Sequence, residues 1–284
     1  MAAVIDSQTS GSHAAPDPLI EYVDVDGVML RVATRPGAGV PLLLFNGIGA
    51  NFELVFPFMN ALPEKEIVIF DIPGTGRSSM WLRPRRFSGL ASLANKLLDR
   101  MGYQEIDVLG VSWGGALAQQ FARQYPDRCR RLILAATSPG AISVPGKPKA
   151  LIKMVTPMRY ISAQYMQKAA PHIYGGEVRK KPHLVTEHNA RLIPPSIVGY
   201  FYQLIAGMGW TSVHWLHKLL QPTLILAGDD DPIVPPVNSR LMSLLIPNNR
   251  LHIVRGGGHL FLVHSTRKVV PIIRKFLDAP DDEL

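Results

Sequence analysis

Residues 106–126 read IDVLGVSWGGALAQQFARQYP, and the turn in their middle decides the fold. The first six residues are apolar apart from Asp107, close to the pattern of a strand covered on both faces. From Gly114 onward the apolar residues fall at helical spacing instead. Between the two lies Gly110-Val111-Ser112-Trp113-Gly114. Five letters of the form G-x-S-x-G occur by chance, but a strand before them and a helix after them make the match specific. A serine on so tight a turn must adopt a strained backbone, and only small neighbours let strand and helix come that close. The turn lifts the hydroxyl above the sheet, beside the helix N-terminus. The plainer reading, in which Ser112 simply caps a helix, is disfavoured by that context.

Working outward, similar runs recur after residue 18: LIEYVDVD, VMLRVAT, PLLLFNG, EIVIFD, RLILAAT, TLILAG and RLHIVRG. Helical patterns such as GLASLANKLLDRMG (89–102) separate several of them. Two early strands followed by strand and helix alternation predict an α/β protein, with a mostly parallel sheet and helices on both faces. The interval between RLILAATSPG and TLILAG is far longer than one connecting helix needs. It carries its own helical patterns, including an apolar stripe of Ile197, Phe201, Leu204, Ile205 and Met208. The expected organisation is therefore a flexible tail over 1–18, a core built from 19–138 and 222–284, and an inserted helical cap or lid over 139–221.

The 284 residues are 47% hydrophobic and 18% charged, which fits an ordinary globule and excludes a disordered or fibrous chain. No apolar run approaches the ~18 residues of a membrane-spanning helix, so no transmembrane segment is expected. The first residues lack the basic and apolar regions of a secretory signal, and the terminal DDEL is read as chance. A single cysteine, Cys129, excludes an internal disulfide and fits a reducing compartment, so a cytoplasmic location is expected. The net charge of +8 raises the question of nucleic acid. Its basic clusters, RPRR (83–86), RCRR (128–131) and RKK (179–181), come with no nucleic-acid-binding signature, so they are read as solvated faces and no nucleic-acid partner is expected. Oligomeric state is not legible in the sequence.

A serine hydroxyl attacks a carbonyl only when a base takes its proton, so Ser112 requires a histidine held by an acid. His259, in VRGGGHLF, follows a strand in a glycine-rich loop that can bring the ring to the sheet edge. The acid comes from AGDDDPIVP: Asp231 is the choice, with Asp229 and Asp230 open as alternatives. The order Ser112, Asp231, His259 is that of α/β-hydrolases. LLLFNGIGAN supplies a turn for an oxyanion hole, made by the backbone amides of Ile48 and Trp113 with Asn46, Gly47, Gly110 and Gly114 in support. FDIPGTGRSS lacks the third glycine of a dinucleotide fingerprint and is read as a structural turn. His214 and His217 have no acid nearby, so neither a metal nor an organic cofactor is expected.

NGIGANFELVFPF, GVSWGGALAQQFA, TSPGAISVPGKPK, GWTSVHWLHK, QPTLILAGDDDP and GGGHLFL together resemble the intracellular poly(3-hydroxyalkanoate) depolymerases of the medium-chain-length type, a branch of the α/β-hydrolase fold. The resemblance runs from about residue 19 to about 278 and includes cap segments. It implies hydrolysis of a stored aliphatic polyester to 3-hydroxy acids without a cofactor, on intracellular granules, and its triad falls on Ser112, Asp231 and His259. Asn46-Gly47 stands where α/β-hydrolases at large carry His-Gly, and the depolymerase branch looks similar to this chain there. RLIPPSI (191–197) departs from the branch. Two other readings use the same residues: a carboxylesterase for small soluble esters, and a granule-binding protein without turnover. The complete Ser-Asp-His set argues against the second.

Overall fold

The computed structural model describes residues 17–280 and Glu283. The tail expected over 1–18 lies outside the described residues up to position 16, as does most of the terminal DDEL. The described chain starts as a hairpin, β1 (Leu19–Val25) and β2 (Val28–Arg35), turned by Asp26 and Gly27 with φ of 55° and 79°. An Asp-Gly pair accepts those left-handed angles and matches the twist of the strands it joins. There follow β3 (Ala38–Phe45), α1 (Phe56–Asn60), β4 (Lys65–Phe70), α2 (Phe87–Met101), β5 (Ile106–Val111), α3 (Trp113–Gln124) and β6 (Cys129–Ala135). The long interval then holds α4 (Pro148–Val155), α5 (Met158–Ile161), α6 (Ala163–Tyr174), α7 (Gly176–Lys180), α8 (His183–Ala190) and α9 (Ile197–Gly207). β7 (Thr223–Gly228), α10 (Pro236–Leu245), β8 (Asn249–Val254), α11 (Phe261–His264) and α12 (Thr266–Asp278) complete it.

The eight strands form one sheet in the order β1-β2-β4-β3-β5-β6-β7-β8. β1 and β2 run antiparallel to their neighbours, and every pairing from β4 to β8 is parallel. The apolar runs behave as their composition dictates in the middle of the sheet, where β5 and β7 are buried at every residue. At the two edges they do not. β1 exposes Leu19, Ile20 and Tyr22, and β8 alternates between partly covered and open positions. One face of the sheet packs on Leu93, Leu97, Leu117, Phe121 and Met242 of α2, α3 and α10. The other packs on Phe58, Met59, Val269, Ile273 and Phe276 of α1 and α12. A third apolar cluster, Met166, Ala169, Ala170, Ile173, Tyr174, Val178 and Val185, lies wholly among the helices between β6 and β7. No helix among the described residues is long and apolar enough to cross a membrane.

Two expectations are corrected. The apolar stripe of α9 is not its buried face: Ile197, Phe201 and Met208 are exposed, while Gly199, Tyr200, Gln203 and Ala206 are covered. Backbone approach decides this, because a methyl on Gly199 would stand 2.7 Å from the Gly74 Cα. Only a glycine face lets the helix lie on that loop. The RCRR cluster is likewise no solvated face. Arg131 is buried and donates to the carbonyls of Phe276 and Leu277 at 2.6 and 2.7 Å, near the C-terminus of α12. Those last carbonyls lack helical partners and carry partial negative charge, which a guanidinium complements. Arg130 pairs with the buried Asp107.

FDIPGTGRSS forms a turn around a buried carboxylate. Asp71 accepts from the amides of Phe52 (2.9 Å) and Arg77 (3.2 Å) and from Arg31 (3.4 Å). Burial pushes its carboxyl up to about 6, against the pull of those donors.

Candidate active site

Ser112 sits between β5 and α3 with φ 55° and ψ −120°, a conformation that costs a non-glycine residue about 1–3 kcal/mol. Its neighbours hold it there: its amide donates to the Ala135 carbonyl at 2.9 Å, and the Thr137 hydroxyl donates to its carbonyl at 2.8 Å. The flanking glycines are required by proximity. A methyl on Gly110 would stand 2.4 Å from the Gly114 carbonyl oxygen, and one on Gly114 would stand 2.2 Å from the Phe45 carbonyl oxygen. Strand, turn and helix therefore pack backbone to backbone.

The loops after β7 and β8 bring the other two groups to this turn. The Ser112 Oγ and His259 Nε2 are 2.9 Å apart, and the His259 Nδ1 is 2.7 Å from the Asp231 Oδ2. The second Asp231 oxygen accepts from the amides of Ile233 and Val234 at 2.8 and 2.9 Å, which fixes the carboxylate plane. Both His259 and Asp231 are buried. The other two aspartates of the DDD run have separate work. Asp229 accepts from the Gly256 amide, and Asp230 pairs with Arg179 and accepts from the Gly176 amide.

The loop after β3 lies against the same turn. A methyl on Gly47 would be in contact with the Ser112 Cβ at 3.8 Å. The Asn46 side chain spans the loop, accepting from the Gly47 amide and donating to the Asn51 carbonyl, both at 2.9 Å. From above, the helices of the 139–221 interval clamp the next peptides. The Tyr160 hydroxyl donates to the Ile48 carbonyl at 2.5 Å, the Gly49 amide donates to the Gln203 side chain at 2.8 Å, and the Trp113 indole donates to the Gln203 carbonyl at 2.9 Å. Sequence reasoning did not single out Tyr160, Gln203 or Arg159. Each lies in a segment whose helical pattern marks it only as cap.

A cleft opens above Ser112 and His259. Leu54, Val55, Val111, Met154, Leu260 and Val263 make most of its wall, and Arg159, Tyr160, Tyr174 and His188 enter from α5, α6 and α8. Burial pushes the His188 imidazole down to about 3, with the neighbouring His264, Arg159 and Arg191 adding repulsion. Burial also lowers His264, to about 4. Both rings are neutral at pH 7.

A family model described as the α/β-hydrolase fold matches residues 40–172 and 201–265. Over 266 residues the chain is 53% identical to a poly(3-hydroxyalkanoate) depolymerase of Ectopseudomonas oleovorans, covering 92% of this chain and 94% of that protein. Among solved structures it is similar to an enol-lactonase of Burkholderia xenovorans, with TM-score 0.78 and 18% identity over 91% of this chain and all of that one. It is also similar to an esterase of Thermogutta terrifontis, with TM-score 0.73 and 25% identity over 92% of this chain and 98% of that one. Sheet order, connectivity and sequence agree: the chain belongs to the α/β-hydrolase fold family.

Proposed function

We propose that this protein is a serine hydrolase that cleaves the ester bonds of an intracellular medium-chain-length poly(3-hydroxyalkanoate), releasing 3-hydroxy acids or oligomers. The observation that carries the reading is the unbroken chain of contacts Ser112–His259–Asp231, at 2.9 and 2.7 Å, on the floor of an apolar cleft. The 53% identity to a protein named poly(3-hydroxyalkanoate) depolymerase supports the substrate class.

In this mechanism His259 accepts the Ser112 proton as Oγ attacks the ester carbonyl, and Asp231 holds the imidazole with Nδ1 protonated and balances its positive form. The amides of Ile48 and Trp113 receive the oxyanion. His259 then gives its proton to the departing 3-hydroxyl oxygen, and a water deprotonated by the same ring releases the acyl group from Ser112. The apolar walls suit the aliphatic side chains of such a polymer. Residues 139–221 act as a lid over the cleft. The enzyme works in the cytoplasm on polymer granules; the exposed Ile152, Ile161 and Phe201 of the 139–221 helices offer apolar surface for granule contact.

Asn46 braces the oxyanion loop in this scheme. Asn46→Ala removes the side-chain bonds to the Gly47 amide and the Asn51 carbonyl, so turnover of a short soluble ester should fall about tenfold or more, as for a weakened oxyanion donor. An unchanged kcat would sink that role.

The test of the whole reading is 3-hydroxy acid release from an amorphous medium-chain polyester suspension, set beside hydrolysis of a short soluble ester, with wild type and Ser112→Ala. Polymer hydrolysis by the wild type alone supports it. Hydrolysis confined to the soluble ester would make the protein a carboxylesterase for small substrates instead. Binding to granules without hydrolysis of either substrate would leave only a binding protein.

A further inference from the structure

Arg159 is a buried cation in an apolar cleft, and none of its contacts among the described residues is to an acid. It lies on α5, only 4% exposed, and contributes to the cleft wall above Ser112. Its contacts are long and none is to a carboxylate: Met154 Sδ at 3.1 Å and Tyr174 Oη at 3.3 Å for one terminal nitrogen, the Ile48 carbonyl and Tyr200 Oη at 3.4 Å each for the other. Its Nε has no hydrogen-bond partner. The guanidinium also stacks over the ring of Tyr160, 4.4 Å from the centroid.

These neighbours satisfy the guanidinium poorly. Tyr200 and Tyr174 offer only neutral phenol oxygens, and the Ile48 carbonyl is shared with the Tyr160 hydroxyl, which donates to it as well. Thioether and ring faces are weak acceptors. A guanidinium is always charged and offers five donors in a planar fork, the counterpart of a carboxylate. Taking such a charge out of water is expensive unless an anion meets it. Arg31 meets the carboxylate of Asp71 and Arg131 the carbonyls at the end of α12; Arg35, whose Nε and Nη1 also lack hydrogen-bond partners, meets the carbonyls of Leu62 and Lys65 and lies outside the cleft lining.

We infer that Arg159 is a carboxylate-binding site that recognises the acid end of a 3-hydroxyacyl chain in the cleft. The inference rests on the polyester reading above for the identity of the chain. Its geometry comes from Ile48: the amide of that residue is the proposed oxyanion donor, and its carbonyl touches Arg159. In a polyester of 3-hydroxy acids, only the ester oxygen and two backbone carbons separate the scissile carbonyl from the carboxyl group of the next unit. A terminal unit in the leaving-group position thus carries its carboxylate one short step from the oxyanion site. Arg159 in that place makes the enzyme favour ester bonds next to a free acid end and releases monomers from that end. As a charge-assisted, two-pronged contact it gives a preference of roughly 10- to 100-fold.

The full-length enzyme is assayed on a linear dimer of 3-hydroxyoctanoate and on the same dimer with its terminal carboxyl methylated. Wild type should show a kcat/KM at least about tenfold higher for the free acid, and in Arg159→Met the ratio of the two should fall to about one, with Arg159→Lys between. A purely structural role, holding Ile48, would lower both substrates together and leave the ratio unchanged, which overturns the assignment. So does a wild type that treats the two dimers alike, a comparison that needs no variant to fold. A second arm measures inhibition of short-ester hydrolysis by 3-hydroxyoctanoate and by its methyl ester. Stronger inhibition by the acid is expected, and equal inhibition overturns the carboxylate site even where no dimer is cleaved and the polyester reading itself has failed. Discrimination seen with the inhibitor but not between cleaved dimers would confine the site to free product and overturn the chain-end assignment.

Discussion

Ser112→Ala should reduce ester turnover by about 10⁴- to 10⁶-fold and leave the protein folded. The substitution removes one oxygen, whose partner His259 stays bonded to Asp231 at 2.7 Å, and alanine fits the same turn. The backbone strain at φ 55° is retained, so stability should change by less than about 1 kcal/mol. Turnover of a short soluble ester and thermal unfolding, measured on the same preparations, check both halves. Asp231→Asn should cost less than losing the nucleophile. The ring would still be held, but through an amide that favours the wrong tautomer, and a loss of about 10⁴ is the expected scale. Combining the substitutions should add little to Ser112→Ala, because the three groups act as a unit. More than about 1% residual turnover in Ser112→Ala, at this scale of loss, would exclude Ser112 as the nucleophile.

Acid should destabilise the protein through two histidines on opposite sides of the lid contact. His188 lies in α8 and His264 in α11, with ring centroids 6.0 Å apart. Their folded pKa values of about 3 and 4 lie below the ordinary 6.5, so the native state keeps both rings neutral while the unfolded chain takes up protons. The stability they provide is complete above pH 6.5 and is lost as pH falls from there toward about 4. At pH 5 the loss is about 2 kcal/mol for each ring. Asp71 acts with the opposite sign. Its carboxyl, raised to about 6, favours the folded state increasingly as pH drops below that value. Comparing wild type with His188→Phe and His264→Leu cancels the Asp71 contribution. Denaturant midpoints at pH 7 and pH 5 should converge in each variant relative to wild type. Equal pH dependence in all three proteins would mean that the rings titrate normally.

The parts of this molecule legible in its sequence are those where one local constraint dominates. Strands covered on both faces take mostly apolar residues, so β7 is legible as a nearly unbroken apolar run after Thr223, and β5 as one interrupted by Asp107, which Arg130 pairs. The turn at Ser112 is legible because two backbones approach within contact, which forces glycine at 110 and 114. The bond between His259 and Asp231 could be anticipated because both residues leave neighbouring parallel strands at the same sheet edge. What was not legible depends on partners far away in the chain. α9 has apolar residues on several sides, among them Val198, Tyr200, Phe201, Leu204 and Ile205, so periodicity alone does not choose a face. The Gly199 contact with Gly74 chooses it. Arg131 reads as one charge in a basic run until the end of α12 arrives to receive it. Arg159 carries no pattern at all: its isolation from acids exists only in three dimensions.

The peptide at Ile48 and Gly49 is gripped from the lid side by Tyr160 and Gln203. Admitting a polymer chain by lifting that roof would slacken the peptide proposed to stabilise the reaction's negative charge. If residues 139–221 act as the proposed lid, entry and chemistry would be alternating states of a single loop, and the enzyme would be armed only once its substrate was enclosed. The rate at which the lid reseats, rather than the bond-breaking step, would set the pace on a long chain, and a shorter ester that slips in beneath a closed roof would escape that toll.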